Sequence, residues 1–260
     1  MDVTFLSLFA GIGGIDLGLE RAGMRCVGQV EINPFCLQVL EKHWPDVPRW
    51  EDVREFPPPD VEIESPMLIA AGFPCQDLSY AQNKPEGLSG ERSGLFYEVI
   101  RISGILRPRC ILLENVPALL TRGLGEVLRA LAEIGYDCEW HCIPVSSLGG
   151  PTIRDRVYLI GTLSNPDEQG LEGWDGEVLP ERTSQRIIGE GSPFEEFRGR
   201  AHRRWWKPRP NLRRTSTVVP RRVDRVKSLG NSVSPPVAQF IGEQIMKVAE
   251  EEWLSAPNVV

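Results

Sequence analysis

Two reactive side chains each follow a short apolar run in this 260-residue sequence. Cys75 lies in Gly72-Phe73-Pro74-Cys75-Gln76-Asp77-Leu78-Ser79, after the run 67–71, and Glu114 follows the run 110–113. Short apolar runs are typical of buried strands, and open α/β sheets bind ligands at the carboxyl ends of their strands. A thiol and a carboxylate could therefore converge at one sheet edge, with Cys75 as a nucleophile. The alternative is a small buried structural cysteine, a common fate of free thiols.

A glycine-rich turn lies near the start of the sequence. The apolar run 3–8 leads into Phe9-Ala10-Gly11-Ile12-Gly13-Gly14, and residues 15–21 then have the pattern of a helix that Gly23 ends. Glycines let the backbone approach a ligand closely, and a helix start offers free N–H groups. This unit predicts a nucleotide-type site, although its glycine spacing differs from the dinucleotide pattern G-x-G-x-x-G.

Two acids fall at the ends of the next predicted strands. Glu31 ends the run 25–30, a position from which an acid can accept hydrogen bonds from ribose hydroxyls. Glu31 could also simply begin the helix 34–43, for which Asn33-Pro34 supplies an N-cap and a first-turn proline. Asp52 falls where a third strand would end, and it could accept from an adenine amino group or be a solvated loop acid.

A pair of arginines precedes a later apolar run. Arg154 and Arg156 are two residues apart, so on an extended segment they face the same way. They could form a plain surface pair. Their position at the start of the buried run 157–160 favours a role in a site.

Strands and helices alternate through residue 161, which predicts a mostly parallel, doubly wound α/β sheet. Residues 95–106 and 119–134 have helical patterns, the second broken around Gly123 and Gly125, and residues 136–145 look extended.

Three further segments complete the predicted organisation. The polar, glycine-containing stretch 79–94 is predicted to be a mobile lid beside Cys75. Residues 164–200 show little periodicity. The stretch Gly230-Asn231-Ser232-Val233 precedes an amphipathic helix, 236–250, that can pack back beside the first strand.

Charge is distributed unevenly along the chain. The net charge is −7, but the stretch 198–227 holds twelve Lys or Arg and one Asp, a local charge of +11 that leaves −18 for the rest. Its basic residues are interleaved with tryptophans around Trp205, which suits phosphate contacts and base stacking. This asymmetry predicts a localised polyanion-binding surface.

The composition bounds the class of protein. No apolar run approaches the ~18 residues of a membrane span, and the first residues lack the basic region of a signal peptide. Six scattered cysteines in such a chain predict reduced thiols and a cytoplasmic location. The spacing Cys138-Glu139-Trp140-His141-Cys142 has no second ligand pair, so no metal is expected.

Taken together, the motifs resemble the DNA cytosine methyltransferases that act on carbon 5 of the ring. The resemblance covers residues 1–161 and 226–250, and the chain looks like a compact phage or prophage member. It is carried, in the family's order, by the following residues: Phe9-Ala10-Gly11-Ile12-Gly13-Gly14, Glu31, Asp52, Gly72-Phe73-Pro74-Cys75-Gln76, Glu114-Asn115-Val116, Arg154 with Arg156, and Gly230-Asn231-Ser232-Val233.

The resemblance implies a Rossmann-like, S-adenosylmethionine-dependent methyltransferase. Its catalytic domain would comprise residues 1–163 and 226–260, with a short, irregular target-recognition region at 164–225. Cys75 would attack carbon 6 of a flipped-out cytosine, and Glu114 would contact ring N3 and the exocyclic amine. Arg156 would hold Glu114 and the cytosine O2, while Arg154 would brace the cysteine loop or a phosphate. The implied catalytic set is Cys75, Glu114, Arg154, Arg156, Pro74 and Asn115.

The resemblance also implies binding residues for the methyl donor, S-adenosyl-L-methionine, and its product S-adenosyl-L-homocysteine. The cofactor set is Phe9, Ala10, Gly11, Gly13, Gly14, Glu31, Ile32, Asp52, Val53, Pro74, Asn231, Ser232 and Val233. The DNA-binding set is Gln76, Ser79, Arg203, Arg204, Trp205, Lys207 and Arg209.

One departure from the family pattern is Thr152, where a glutamine is usual; it bears on how the arginine segment is braced. The implied partners are double-stranded DNA and, optionally, a cognate restriction endonuclease, with the chain acting as a monomer away from membranes. Three rivals remain open: a transfer RNA methyltransferase, a catalytically silent DNA-binding protein, and a nucleotide-dependent oxidoreductase. The last explains only the glycine turn and Glu31.

Overall fold

A computed structural model of the chain describes residues 2–59, 61–74, 93–150, 154–164 and 221–250. Cys75, the predicted lid and nearly all of the predicted recognition region lie outside these residues. Among the described helices, none has both the length and the apolar character needed to cross a bilayer.

Strands and helices alternate in the first two thirds of the chain, as the sequence predicts. In chain order the elements are β1 Thr4–Leu8, α1 Gly14–Arg21, β2 Arg25–Val30, α2 Pro34–His43, β3 Arg49–Trp50, β4 Leu68–Ala71, α3 Phe96–Leu106, β5 Cys110–Asn115, α4 Leu119–Arg122, α5 Leu124–Glu133, β6 Tyr136–Pro144, β7 Asp155–Leu163, α6 Arg222–Asn231 and α7 Pro235–Val248.

The strands form one seven-stranded sheet in the order β3-β2-β1-β4-β5-β7-β6. Neighbours from β3 to β5 are parallel, which confirms the predicted mostly parallel, doubly wound sheet. β7 runs antiparallel to both β5 and β6. Its amino end therefore lies at the edge where the parallel strands have their carboxyl ends, and it brings Arg156 to that edge.

Alternation along the strands creates a core on each face of the sheet. On β5, Leu112 belongs to the core beneath α1 and α7, whereas Ile111 and Leu113 belong to the core beneath α3 and α5. These side chains are almost completely buried. Burial on both faces explains why the central strands are continuous apolar runs.

Helix α7 packs against α1. The two helices approach most closely at Gly18, where a Cβ would lie 2.4 Å from the Cβ of Ala238 and 2.6 Å from the carbonyl oxygen of Pro235. A side chain at this position would push α7 away from α1. The C-terminal helix is therefore held beside the glycine turn that precedes α1.

Two local features are more exact than the sequence predicted. The helical pattern 119–134 is broken as predicted, but the break lies at Gly123 alone, because α5 begins at Leu124 and includes Gly125. Gly230 and Asn231 form the last turn of α6, and the chain turns at residues 232–234 before α7.

Candidate active site

A cleft of about 700 Å³ opens at the carboxyl ends of β1, β2, β4 and β5. It brings together residues that are far apart in the sequence, from the glycine turn to the segment after α6. Predicted site residues that line it are Phe9, Ala10, Gly11, Gly14, Glu31, Ile32, Asp52, Val53, Pro74, Glu114, Asn115, Arg156, Asn231, Ser232 and Val233. Two further predicted site residues, Gly13 and Arg154, do not line the cleft themselves.

The glycine turn owes its shape to residues with positive φ. Phe9, Gly11 and Gly13 have φ angles of 55°, 59° and 80°. Two of these three are glycines, which adopt this region without steric cost. Gly13 is the N-cap of α1 and supplies no side-chain cap, so the first N–H groups of α1 need an acceptor from outside the helix. The turn thus presents backbone donors toward the cleft.

Glu31 is fixed by the backbone on two sides. Its Oε2 accepts from the N–H of Gly11 at 2.7 Å, and its Oε1 accepts from the N–H of Asn33 at 2.7 Å. Asn33 in turn caps α2, accepting from the N–H of Phe35 at 2.9 Å. Burial raises the pKa of Glu31, while these N–H donors act against the rise. Each carboxylate oxygen keeps a second lone pair, so Glu31 can both begin the helix and face a hydroxyl in the cleft.

Asp52 lies at the opposite wall and is more exposed than Glu31. Arg54 forms an ion pair with its carboxylate at 2.6 Å, and this guanidinium lowers the pKa of Asp52. The following loop is held by Arg101, which donates to the carbonyl oxygen of Val53 at 3.0 Å. Ile32 is 60% exposed at the cleft and offers an apolar surface. Together these groups form a wall with polar and apolar parts.

Glu114 is a buried acid at the other end of the cleft. Its side chain is 8% exposed, and its Oε1 lies 2.9 Å from Nε of Arg156. That contact has ion-pair distance but not hydrogen-bond geometry, and Oε1 has no hydrogen-bond partner among the described residues. Desolvation raises the pKa of Glu114 to about 7, against the opposing charges of Arg156 and Arg154. Glu114 can therefore gain or lose a proton near neutral pH.

Arg154 connects the two ends of the cleft. Its Nη2 donates to the carbonyl oxygen of Ser232 at 2.9 Å, a contact that the sequence does not predict. Ser232 and Val233 also press against the glycine turn: a Cβ at Gly14 would lie 2.3 Å from the Ser232 hydroxyl and 2.4 Å from the Val233 carbonyl. The segment after α6 is thus held between the glycine turn and Arg154, which directly precedes β7.

Asn115 holds the segment that leads into Cys75. Its amide nitrogen donates to the carbonyl oxygen of Phe73 at 3.5 Å, and its amide oxygen accepts from the N–H of Val116 at 2.7 Å. Phe73 is buried against Phe96, with ring centroids 5.3 Å apart. The backbone just before Pro74 is therefore anchored at the Glu114 end of the cleft.

Sequence reasoning missed part of the cleft wall. Lys227, Ser228 and Asp224 of α6 line the cleft, as do Cys36 and Arg54. Asp224 and Lys227 fall in the basic stretch 198–227, which was predicted to bind a polyanion rather than to line this cleft, and Ser228 directly follows that stretch.

Several predicted residues lie outside the described residues, and their roles stay predictions. These are Cys75, Gln76, Ser79, Arg203, Arg204, Trp205, Lys207 and Arg209. Within the described ranges, no group of three or more His, Cys, Asp or Glu side chains is arranged to hold a metal ion.

The fold is that of a Rossmann-like methyltransferase. A variant of DNMT2 from Spodoptera frugiperda matches it with a TM-score of 0.53 at 22% identity, covering 73% of this chain and 57% of that structure. The family model described as C-5 cytosine-specific DNA methylase matches residues 3–192. The chain belongs to this family, and with it to the DNA (cytosine-5-)-methyltransferase class of enzymes, as the motifs indicated.

Similar proteins include two bacterial type II methyltransferases. M2.BsuMI of Bacillus subtilis is 31% identical over an alignment of 294 positions, gaps included, that covers 92% of this chain and 74% of that protein. M.NlaIV of Neisseria lactamica is 32% identical over 209 residues, covering 74% of this chain. The matched part is 49% of M.NlaIV, so this chain spans about half the length of that relative.

Proposed function

We propose that this protein transfers a methyl group from S-adenosylmethionine to carbon 5 of cytosine in DNA, through a covalent bond between Cys75 and carbon 6. The observation that carries the proposal is the pairing of two unlike ends in one cleft. One end has the glycine turn and Glu31, and the other has a buried, ion-paired Glu114 beside the segment leading to Cys75.

The cofactor end has the donor and acceptor set that an adenosyl amino acid requires. The free N–H groups at the start of α1 suit a carboxylate, Glu31 suits ribose hydroxyls, and exposed Ile32 suits the face of a purine. The cleft volume of about 700 Å³ is within the usual range for ligand sites. When bound, S-adenosylmethionine supplies the electrophilic methyl group.

The chemistry begins with the Cys75 thiolate, which attacks carbon 6 of the cytosine and makes carbon 5 nucleophilic. Carbon 5 would then take the methyl group as the bond from that group to the donor sulfur breaks, leaving S-adenosylhomocysteine. Loss of the carbon 5 proton to a base would then break the Cys75–carbon 6 bond and restore the thiolate. Glu114 would hold a proton at N3 during the attack, withdrawing electron density from the ring. A carboxyl group with a pKa near 7 is suited to sharing that proton.

The arginines would orient Glu114 and the base. Nε of Arg156 is within ion-pair distance of Glu114, and Nη1 donates to the carbonyl oxygen of Asp155 at 2.7 Å, so Nη2 is the nitrogen proposed to bind the cytosine O2. A base inside a duplex cannot reach such a pocket, so the target cytosine must leave the stack at a cost of roughly a few kcal/mol. The basic stretch 198–227 is proposed to contact the DNA backbone.

The direct test is trapping of the covalent intermediate. Duplex DNA containing 5-fluorocytosine should form an adduct with the wild-type protein in the presence of S-adenosylmethionine, because fluorine at carbon 5 prevents release of the thiolate. Cys75→Ala should form no adduct and transfer no methyl groups, whereas Cys142→Ala, at an exposed cysteine of β6, should behave as wild type.

Two results would contradict the proposal. Methyl transfer by Cys75→Ala would remove the covalent mechanism. Preferential incorporation of labelled methyl groups into transfer RNA over duplex DNA would change the substrate. Bisulfite sequencing of the treated DNA would then report the methylated positions.

A further inference from the structure

A completely buried acid, Asp16, stands behind the glycine turn and has no part in the mechanism above. It lies in the first turn of α1, two residues after Gly14, and it is 0% exposed. Burying a carboxylate is costly unless its oxygens are hydrogen-bonded. The acid therefore needs an explanation that a leucine or alanine at the same place would not need.

Both oxygens of Asp16 are bound by neutral donors from different strands. Oδ2 accepts from the Ser7 hydroxyl of β1 at 3.0 Å, and Oδ1 accepts from the Gln29 amide of β2 at 2.8 Å. Asp16 thus ties the start of α1 to the two strands whose carboxyl ends form the cofactor end of the cleft. The pKa of Asp16 is raised to about 6, chiefly by burial, and the two donors act against the rise.

The contacts continue beyond Gln29 and return to the turn. The side-chain amide oxygen of Gln29 accepts from Nη1 of Arg49 at 3.3 Å, and the same Nη1 donates to the backbone carbonyl oxygen of Trp44 at 2.6 Å. The Trp44 ring fills the space beside Gly13, where a Cβ would lie 2.4 Å from it. The chain of contacts that starts at Asp16 therefore closes on the residue that caps α1.

We propose that Asp16 is a positioning residue for the methyl-donor site: by joining α1 to β1, β2 and Trp44, it sets where the turn from Gly11 to Gly14 presents its backbone donors. The inference rests on the proposed function, since it concerns the same cofactor end of the cleft. It predicts that donor affinity depends on the hydrogen bonds of Asp16, and that its charge is dispensable.

Two substitutions separate hydrogen bonding from charge. In Asp16→Asn, the amide oxygen can still accept from Gln29, and the amide nitrogen can donate to the Ser7 hydroxyl, so both links survive. In Asp16→Ala, both links are lost and the buried donors of Ser7 and Gln29 are left without an acceptor. Val127→Ala, in the core beneath α5 and away from the cleft, controls for a general loss of stability.

The experiment measures the dissociation constant of S-adenosylmethionine by calorimetry, without DNA, at a temperature where circular dichroism shows each protein folded. Asp16→Ala should weaken binding roughly ten- to a hundredfold, the scale of effect when an aligned site shifts by about 1 Å. Asp16→Asn should bind as wild type does, and Val127→Ala should lower the melting temperature without changing the dissociation constant.

Other outcomes are equally clear. If Asp16→Ala loses stability as Val127→Ala does but binds normally, the inference is wrong. If Asp16→Ala does not fold, Ser7→Ala decides: it deletes a single link and should weaken binding about fivefold, and unchanged affinity overturns the inference. If the wild-type protein itself does not bind S-adenosylmethionine, the proposed function fails, and the inference fails with it.

Discussion

The protein buries one carboxylate, Asp16, behind the glycine turn and another, Glu114, beside Arg156. Desolvation raises the pKa of both, that of Asp16 to about 6 and that of Glu114 to about 7. Their partners differ. Asp16 has each oxygen hydrogen-bonded by a neutral side chain, whereas Glu114 faces two arginines, and its Oε1 has no hydrogen bond to any residue that the structure describes.

Asp16 therefore has the contacts of a structural carboxylate, whereas Glu114 has those of a carboxylate that binds a substrate. A buried acid with every oxygen satisfied by its own chain has little capacity left for a ligand. Glu114 lines the cleft, is paired with a charged partner, and has a raised pKa, and that combination marks functional sites in general. Glu31 lies between these extremes, because both of its oxygens are bound by backbone N–H groups and yet it still lines the cleft.

Replacing each acid by its amide should have different effects at the two positions. Glu114→Gln should lower the rate of methyl transfer roughly 10²–10⁴-fold, because an amide cannot transfer a proton to N3 of the cytosine. Asp16→Asn should leave the rate near that of wild type. Single-turnover transfer to unmethylated genomic DNA, with saturating donor, measures both.

A matched measurement guards this result. Glu114→Gln should bind S-adenosylmethionine with unchanged affinity, since Glu114 lies at the end of the cleft that is proposed to hold the cytosine. Equal losses of rate in the two variants would mean that the two carboxylates do not divide into a structural and a catalytic role.

The second effect is a pH dependence of stability to which both acids contribute. The pKa of Glu114 is raised from 4.5 to about 7, so between these values the native protein binds more protons than the unfolded chain. The free energy of unfolding should therefore fall as the pH rises through this window. The size is on the order of 3 kcal/mol, since each pKa unit corresponds to about 1.4 kcal/mol. For Asp16, whose pKa is raised from 3.8 to about 6, the free energy of unfolding falls in the same way as the pH rises between these values.

Urea unfolding at several pH values tests this sign. Glu114→Gln should flatten the upper part of the curve, above the pKa of Asp16, and Asp16→Asn should flatten its lower part. The double variant should lose both contributions. A wild-type protein that becomes more stable as the pH rises from 5 to 7 would contradict the raised pKa values of both acids.

Local patterns predicted much of this architecture. The strand, glycine turn and helix at the start, the Asn33 cap, and the position of Glu114 at the carboxyl edge of the sheet follow from periodicity and from the shared edge of parallel strands. These features depend on near neighbours in the sequence. The resemblance then assigned functions to residues that spacing alone left open, such as Glu31.

The features that the sequence did not predict depend on distant neighbours. An apolar run reads the same in either direction, so the antiparallel orientation of β7 comes from its pairing with β5. The bond from Arg154 to Ser232 joins residues 78 apart. An acid such as Asp16 in a first helical turn is ordinarily explained by the helix dipole, and only the fold shows that it is buried between two strands.

The smallest predicted effect tests whether the two regions are mechanically joined at Gly14. A methyl group there would overlap the Ser232 hydroxyl and the Val233 carbonyl, and Ser232 is the residue that Arg154 holds. Gly14→Ala should therefore destabilise the protein by about 1–3 kcal/mol, as overpacking does, and should weaken donor binding and lower the transfer rate together. Gly125→Ala is the control, because a Cβ in that turn of α5 meets no atom within 4 Å. That control should gain up to about 1 kcal/mol from the lower flexibility of the unfolded chain, with activity unchanged. If Gly14→Ala weakened donor binding but left the transfer rate at saturating donor and DNA intact, the segment after α6 would serve the cofactor end alone.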